Sequence, residues 1–428
     1  MITPWLVLII EILLFYPFKH LINDTELLAV VVIFFNIPFV IFLFYRYGKE
    51  AFFVFLTGLF LRIIVMFWDI YGRDFFYLPH SGNDSEGFLN SALTISENIF
   101  LLNEDIYGGL YSKVLGVIFY FGPADRILIQ YINVLLGVTT ILLAYKIMTL
   151  LNIDKKIKMW LLILMIIFPS SLIFSGILLR EAIIAFTVVL SFYYFLKWMM
   201  NGSFYYVIYS IIILIISASF HSGVLGILLG YLFMLLFYRP KHKRFKTSVQ
   251  SVVVFIISIT VMVVLNSISL ENLPFLDKFT HSLDSIDDLY DVSSSGRGGS
   301  VYLQGLSINN PIQLILLAPI KMFYFLGSPL PLNWRGISDI TSFLYDGIIY
   351  LALFLYPTFN YRRFIKGDPV AIGIFIMLLG TIFIFGVGLN NAGTAMRHRY
   401  KIFYIIIIFF GVTLKNKNIK QKSREGSI

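Results

Sequence analysis

The sequence predicts an all-α fold of the polytopic membrane type, with about twelve transmembrane helices and additional outer half-helices. Three observations carry this. The chain is 58% hydrophobic and only 13% charged, where a soluble domain carries roughly 25% charged residues. Apolar runs approaching the ~20 residues of a membrane crossing recur along its length, giving a mean hydropathy of +0.84. The runs are continuous rather than alternating, which excludes a transmembrane β-barrel.

The elements follow in order. Apolar spans are expected at Trp5–Pro17, Leu27–Tyr45, Ala51–Trp68, Arg126–Leu150, Met159–Ile173 and Leu179–Trp198. They continue at Phe204–Ser219, Gly223–Tyr238, Ser251–Ile268, Ser342–Leu355, Val370–Val387 and Ile402–Val412. Two further apolar segments are ambiguous. Leu110–Phe121 is short and ends at Gly122-Pro123, and Pro311–Leu326 is interrupted by Pro319 and Lys321.

Charge arbitrates between topologies, because Lys and Arg concentrate in cytoplasmic loops. The basic clusters are Arg46/Lys49, Lys155/Lys156/Lys158, Lys197, Arg239–Lys246, Arg362/Arg363/Lys366 and Lys415–Arg424. With the N-terminus inside, all of them face the cytoplasm only if both ambiguous segments fail to cross and form half-helices on the outer side. The expected organisation is a single transmembrane domain over residues 1–414 and a basic cytoplasmic tail over 415–428. Outer loops are expected at 69–125, 269–310 and 390–399. Both termini are expected in the cytoplasm of a bacterial inner membrane. Met1–Lys19 reads as a first span, because a basic leading region and a small-residue cleavage site are both missing.

Composition narrows the chemistry. With no cysteine in the chain, disulfides, thiolate metal sites and cysteine nucleophiles are excluded. The scattered His residues lack a zinc-type spacing, so no metal and no cofactor is expected, although a divalent cation stays open. The formal net charge of +9 fits cytoplasmic loops against anionic lipid rather than nucleic acid.

The polar residues inside apolar runs are the functional candidates. Arg180 and Glu181 sit side by side within Phe168–Ala182, and a charge costs roughly 3 kcal/mol or more at a helix centre. Arg180 precedes the cytoplasmic Lys197 by about 25 Å of helix at 1.5 Å per residue, which sets it near the outer boundary of the hydrocarbon. His80, His221, Trp334, Arg335, Asp346, Arg397, His398 and Arg399 are expected at the same face. Several guanidiniums at that depth suit a lipid-linked phosphate, which they bind in bidentate fashion. Asp84 or Glu86 would then serve as general base toward a hydroxyl acceptor. Each has a plainer reading. Asp84 and Glu86 also suit a helix cap, the Arg180–Glu181 pair also suits packing alone, and Arg297 in its Gly/Ser-rich loop also suits a solvated charge. The acidic stretch from Asp277 to Asp291 lacks the spacing of a calcium loop.

Asn83-Asp84-Ser85-Glu86-Gly87-Phe88, Tyr111–Phe121-Gly122-Pro123, a span containing Asn133, Phe168-Pro169-Ser170-Ser171 and Leu178-Leu179-Arg180-Glu181-Ala182 occur in this order. Asn391-Ala-Gly-Thr394-Ala-Met-Arg397-His-Arg399-Tyr400 follows later. The pattern resembles multi-spanning glycosyltransferases of the GT-C type and the related bacterial polysaccharide repeat-unit polymerases (Wzy-type). The resemblance implies a polyprenyl-phosphate-linked glycan as substrate, with Asp84 as base or acceptor-orienting group. It also implies Arg180, Arg397 and Arg399 as ligands of the carrier phosphate, and export-system partners such as a flippase and a chain-length regulator. Glu181 and Arg335 join the carrier site on this reading. His80, His221, Arg297, Trp334, Asp346 and His398 join the glycan site. The sequence departs from the family in having no paired-acidic motif in the first outer loop beyond Asp84-Ser-Glu86, which puts a metal requirement in doubt. Two alternatives stand beside the polymerase: a monoglycosyltransferase using a polyprenyl-monophosphate sugar, and a lipid-linked oligosaccharide flippase or transporter.

Overall fold

The computed structural model describes residues 2–18, 24–257, 300–303 and 311–425. Arg297, the acidic stretch from Asp277 to Asp291, the Gly/Ser-rich tip up to residue 299 and most of the expected span Ser251–Ile268 lie outside the described residues. Among the described residues the protein is helical almost throughout. Its one sheet pairs Tyr238–Arg239 with Arg244–Phe245. Six helices are long and apolar enough to cross a membrane, or seven with one bent pair counted as a single span. The protein is all-α and membrane-embedded. Shorter apolar helices such as Thr3–Phe15, Leu110–Phe121 and Tyr205–Phe220 lie where further spans or half-helices are expected.

The chain forms two compact units. The first comprises Met1–Tyr145 and Met159–Phe186, the second Lys146–Lys158 and Thr187–Ile428.

In the first unit α1 (Thr3–Phe15), α2 (Thr25–Tyr45) and α3 (Lys49–Tyr71) follow one another. Asp24 caps α2 by accepting from the Leu27 amide at 2.9 Å, as an Asp before an apolar run should. A helical hairpin follows, α4 (Asn83–Glu97) and α5 (Leu110–Phe121). Gly108-Gly109 opens α5, and both residues have positive φ. Gly122-Pro123 ends it, because proline cannot continue the helix and its predecessor is pushed out of the α region. Next come α6 (Arg126–Leu150), α7 (Lys155–Ile167) and α8 (Pro169–Gly176).

The expected continuous span Met159–Ile173 is broken. Pro169 occupies the first turn of α8, Phe168 is extended with ψ 123°, and the two helices are bent by 52°. Proline at a first helical position is favourable but restricts the residue before it, so the break falls at Phe168. Non-helical residues 177–180 lead into α9 (Glu181–Asn201).

The second unit holds α10 (Tyr205–Phe220), α11 (Ile227–Phe237) and α12 (Pro311–Gly327). It ends with α13 (Ile337–Phe359), α14 (Pro369–Val387) and the long α15 (Ala392–Glu425). Within α13, residues Phe343–Gly347 widen into a π turn, a feature common at functional or strained positions.

Candidate functional site

Polar side chains in the first unit form a connected track along α3 and α6. On α6, Arg126, Gln130, Asn133 and Gly137 follow at steps of four, three and four, which is one face of a helix. On α3, Arg62 and Asp69 share a face in the same way, about 10 Å apart along the helix axis.

At the upper end of the track two guanidiniums bridge two carboxylates. Arg73 contacts Glu86 Oε1 at 2.5 Å and Asp69 Oδ2 at 3.3 Å. Arg126 contacts the same two oxygens at 2.6 and 3.2 Å. Ser81 accepts from Arg73 at 2.8 Å. Gln130 donates to Asp69 Oδ2 at 2.6 Å, and the Asp69 side chain is fully buried. Burial works to raise the Glu86 carboxyl, but Arg126 and Arg73 together outweigh it and hold its pKa below the ordinary value. The Asp125 carboxyl is shifted the other way, upward, chiefly by burial and further by Glu26 and Asp24.

Asp84 stands in the first turn of α4 and accepts from the Tyr107 hydroxyl at 2.7 Å. Neither Asp84 nor Glu86 is the helix cap. That position is Gly82, with no side-chain bond, so the capping reading is replaced by an ion-pair role for Glu86 and a hydroxyl contact for Asp84. His80 has φ 69° and lies with its ring 5.1 Å from that of Phe174.

Lower on the track, backbone carbonyls of the segment before α9 are held by amides from α6. Gln130 Nε2 donates to Gly176 O at 3.1 Å. Asn133 Nδ2 donates to both Ile177 O at 2.8 Å and Leu179 O at 3.0 Å. Arg180 follows immediately. It is half-buried, its Nε is buried, and its side chain forms no hydrogen bond or ion pair among the described residues. Among the described residues no hydrogen bond or ion pair joins the Arg180 side chain to Glu181. Arg180 is the last residue of the non-helical segment, and Glu181 is the first residue of α9. Glu181 is buried, in the first turn of α9, where the helix dipole favours an anion. Tyr111 of α5 is buried beside Asn133 and within electrostatic range of both Arg180 and Glu181.

Farther along α3 lies Arg62, fully buried. It donates to Gly58 O at 3.1 Å, Met165 O at 3.4 Å and Ser171 Oγ at 2.7 Å. Its partners are neutral. They include a carbonyl of the last turn of α7, where a cation complements the helix dipole. Gly137 is needed here, because a Cβ on it would sit 3.1 Å from Arg62 Nε and 2.5 Å from Ser175 Cβ.

The second unit has its own polar centre. Arg399 is fully buried. Its Nη1 donates to Phe325 O at 3.1 Å and Leu326 O at 2.8 Å. Its Nη2 donates to Ser328 O at 2.8 Å and pairs with Asp346 at 2.5 Å. It therefore ties the C-terminal end of α12, whose last carbonyls have no helical partner, to the π turn of α13. Gly347 allows this approach, since a Cβ there would collide with Gly327 O. Both terminal nitrogens of Arg399, which the sequence reading assigns to a carrier phosphate, are engaged by protein groups. Asp346 is its counter-ion.

Arg335 donates to Val301 O at 3.1 Å, and Trp334 to Pro329 O at 3.0 Å. The His221 and His398 rings meet at 4.3 Å, with Lys401 Nζ 3.3 Å from His398 Nδ1. Arg397 is half-buried at the start of α15.

Comparison with protein-family models, curated proteins and solved structures finds no match.

Among the described residues no group of three or more His, Asp or Glu is arranged to hold a metal ion. Residues that motif reading passes over, namely Arg62, Asp69, Arg126 and Gln130, carry much of the first unit's polar geometry, together with Arg73 and Asn133. Arg62 meets the criterion that singles out Arg180, a charge inside an apolar run. Asp69 and Arg126 escape it because each stands at the end of its run.

Proposed function

We propose that the protein is a membrane glycosyltransferase that polymerises lipid-linked oligosaccharide repeat units at the outer face of a bacterial cytoplasmic membrane. One observation carries the reading. In the first unit Arg62, Arg73 and Arg126 are committed to internal partners, while the guanidinium of Arg180 is not. A half-buried arginine at the start of a helix, with donors to spare, suits a phosphate or diphosphate ester. Guanidinium binds phosphate through two parallel hydrogen bonds, and the helix N-terminus adds positive potential.

In this reading Arg180 stabilises charge on the departing carrier phosphate. Asp84, oriented by Tyr107, takes the proton of the attacking sugar hydroxyl. Glu86 stays ionised within its arginine clamp and fixes the start of α4, and so the position of Asp84. Polyprenyl-diphosphate oligosaccharide is the substrate class, the bilayer delivers it, and no cofactor enters the scheme.

The test is transfer in vitro from a polyprenyl-diphosphate oligosaccharide by the purified protein. Asp84→Asn and Arg180→Ala should each lower turnover by about 10²-fold or more. Full activity in both variants overturns the assignment. A ladder of product lengths supports polymerisation, and a single added sugar supports the monoglycosyltransferase alternative.

The break between α7 and α8 favours a second reading, a lipid-linked oligosaccharide flippase or transporter, since broken helices line many transport pathways. The cysteine-free chain allows single-cysteine labelling at Glu181 and Asp346. Labelling from both sides of the membrane supports transport, and labelling from one side only supports the enzyme.

A further inference from the structure

Ile177, Leu178 and Leu179 are fully buried, yet they are not helical. Their carbonyls therefore need partners from elsewhere, because an unmade hydrogen bond on a buried carbonyl is costly. Leu179 N closes a tight turn on Ile177 O at 3.0 Å. Asn133 Nδ2 then spans the same turn, reaching Ile177 O at 2.8 Å and Leu179 O at 3.0 Å. One helical turn away, Gln130 holds Gly176 O at 3.1 Å, and Gln130 is itself oriented by Asp69 at 2.6 Å. The last carbonyl so held belongs to the residue before Arg180. The peptide that sets the direction of the Arg180 side chain is thus fixed from α6, and Arg180 itself contributes nothing to the fixing.

We propose that Asn133 is a positioning residue: its carboxamide clamps the 177–179 turn and thereby aims the uncommitted guanidinium of Arg180 at an anionic phosphate ester. This rests on the phosphate reading of Arg180 given above. Gln130 supports the same segment one residue earlier. A longer or shorter side chain at 133 cannot span both carbonyls, so asparagine is required rather than any amide.

A double-mutant cycle on the full-length protein in detergent tests this, with farnesyl diphosphate as the probe. Arg180→Ala should weaken binding about tenfold or more, and Asn133→Ala about fivefold. If Asn133 acts through Arg180, the double variant should bind within about twofold of Arg180→Ala alone, since residues acting as one unit are not additive. Binding by Asn133→Ala equal to that of the wild type, or a loss that adds in full to that of Arg180→Ala, overturns the positioning proposal and leaves the phosphate reading standing. Binding by Arg180→Ala equal to that of the wild type overturns the phosphate reading and the proposal with it. If Asn133→Ala does not purify, Asn133→Gln replaces it in the cycle under the same criteria. A second measurement needs no ligand. With no native cysteine, Arg180→Cys presents the only thiol, and adding the Asn133 substitution should change its labelling rate at least about threefold if the amide sets the direction at 180. An unchanged rate counts against the clamp.

Discussion

Removal of the Asp69 carboxylate is the most direct measure of how the first unit is held together. Its Oδ2 receives Arg73 at 3.3 Å, Arg126 at 3.2 Å and Gln130 at 2.6 Å. At an effective dielectric near 20, each ion pair at about 4 Å is worth about 4 kcal/mol before desolvation is subtracted. Deleting one partner of a buried pair costs about 3–5 kcal/mol, because the other charge stays behind. Here Glu86 still serves both arginines, so Asp69→Leu belongs at the low end, about 3 kcal/mol. The leucine brings little compensation, since lipid is as apolar as a packed helix interface. Asp69→Asn keeps the volume and an acceptor for Gln130 and loses only the charge, which sets its cost at about 1–2 kcal/mol. With about 2–4 °C per kcal/mol for a body of this size, the melting temperature should fall by roughly 6–12 °C for Asp69→Leu. For Asp69→Asn the fall should be roughly half as large or less. Thermal unfolding in detergent, followed by tryptophan fluorescence, reads this next to the site, because Trp68 is the neighbouring residue and its indole donates to Phe76 O at 3.1 Å. Shifts within about 2 °C of the wild type for both variants, or a larger loss for Asn than for Leu, would refute the reasoning.

Three further outcomes are expected. The Glu86 carboxyl is depressed in the folded protein, so its stabilising contribution is complete above the ordinary carboxylate pKa, about 4.5, and is lost as pH falls through the lower folded value. The melting temperature should drop in that acid window for the wild type, and Glu86→Gln should flatten the drop. Asp125 is shifted upward, mainly by burial, so its charged form opposes folding at neutral pH. Asp125→Asn retains an oxygen for the Ile127 amide, now accepted at 2.8 Å, and should raise the melting temperature at pH 7 with the gain disappearing in acid. Arg399→Lys should lose about 2–4 kcal/mol, because one ammonium cannot serve three carbonyls and Asp346 together; a melting temperature equal to that of the wild type would show that the α12 end does not depend on the fork.

The sequence makes the helices legible where local chemistry marks both ends. Leu110–Phe121 is read to the residue, because Gly108-Gly109 and Gly122-Pro123 leave no other choice. Arg126–Leu150 is equally clear. The break at Phe168 is less legible, since proline is tolerated in transmembrane helices when neighbours satisfy the freed groups. Here Arg62 does so, donating to Met165 O from a residue remote in the chain. The same remoteness hides Asp69 and Gln130. Neither is unusual in sequence, and both matter only because they meet at 2.6 Å across 61 residues. Motif reading finds Asp84, Glu86 and Arg180 as outstanding residues, but it cannot tell a committed arginine from an uncommitted one. Arg399 and Arg180 look alike in sequence. Only packing shows that the first closes a helix end and the second closes nothing.

That difference has an energetic meaning. Arg62 and Arg399 each stabilise backbone that would otherwise leave carbonyls unmet, and their cost is offset within the fold. Arg180 offsets nothing of the kind. The turn that precedes it is fixed by Asn133. A partly buried guanidinium with no side-chain partner among the described residues gains nothing from the fold to offset its desolvation. Glu86 and Asp69, the carboxylates along the track, are occupied by Arg73 and Arg126. The two-arginine clamp holds α4 in place, and among the described residues the Arg180 side chain takes no part in it.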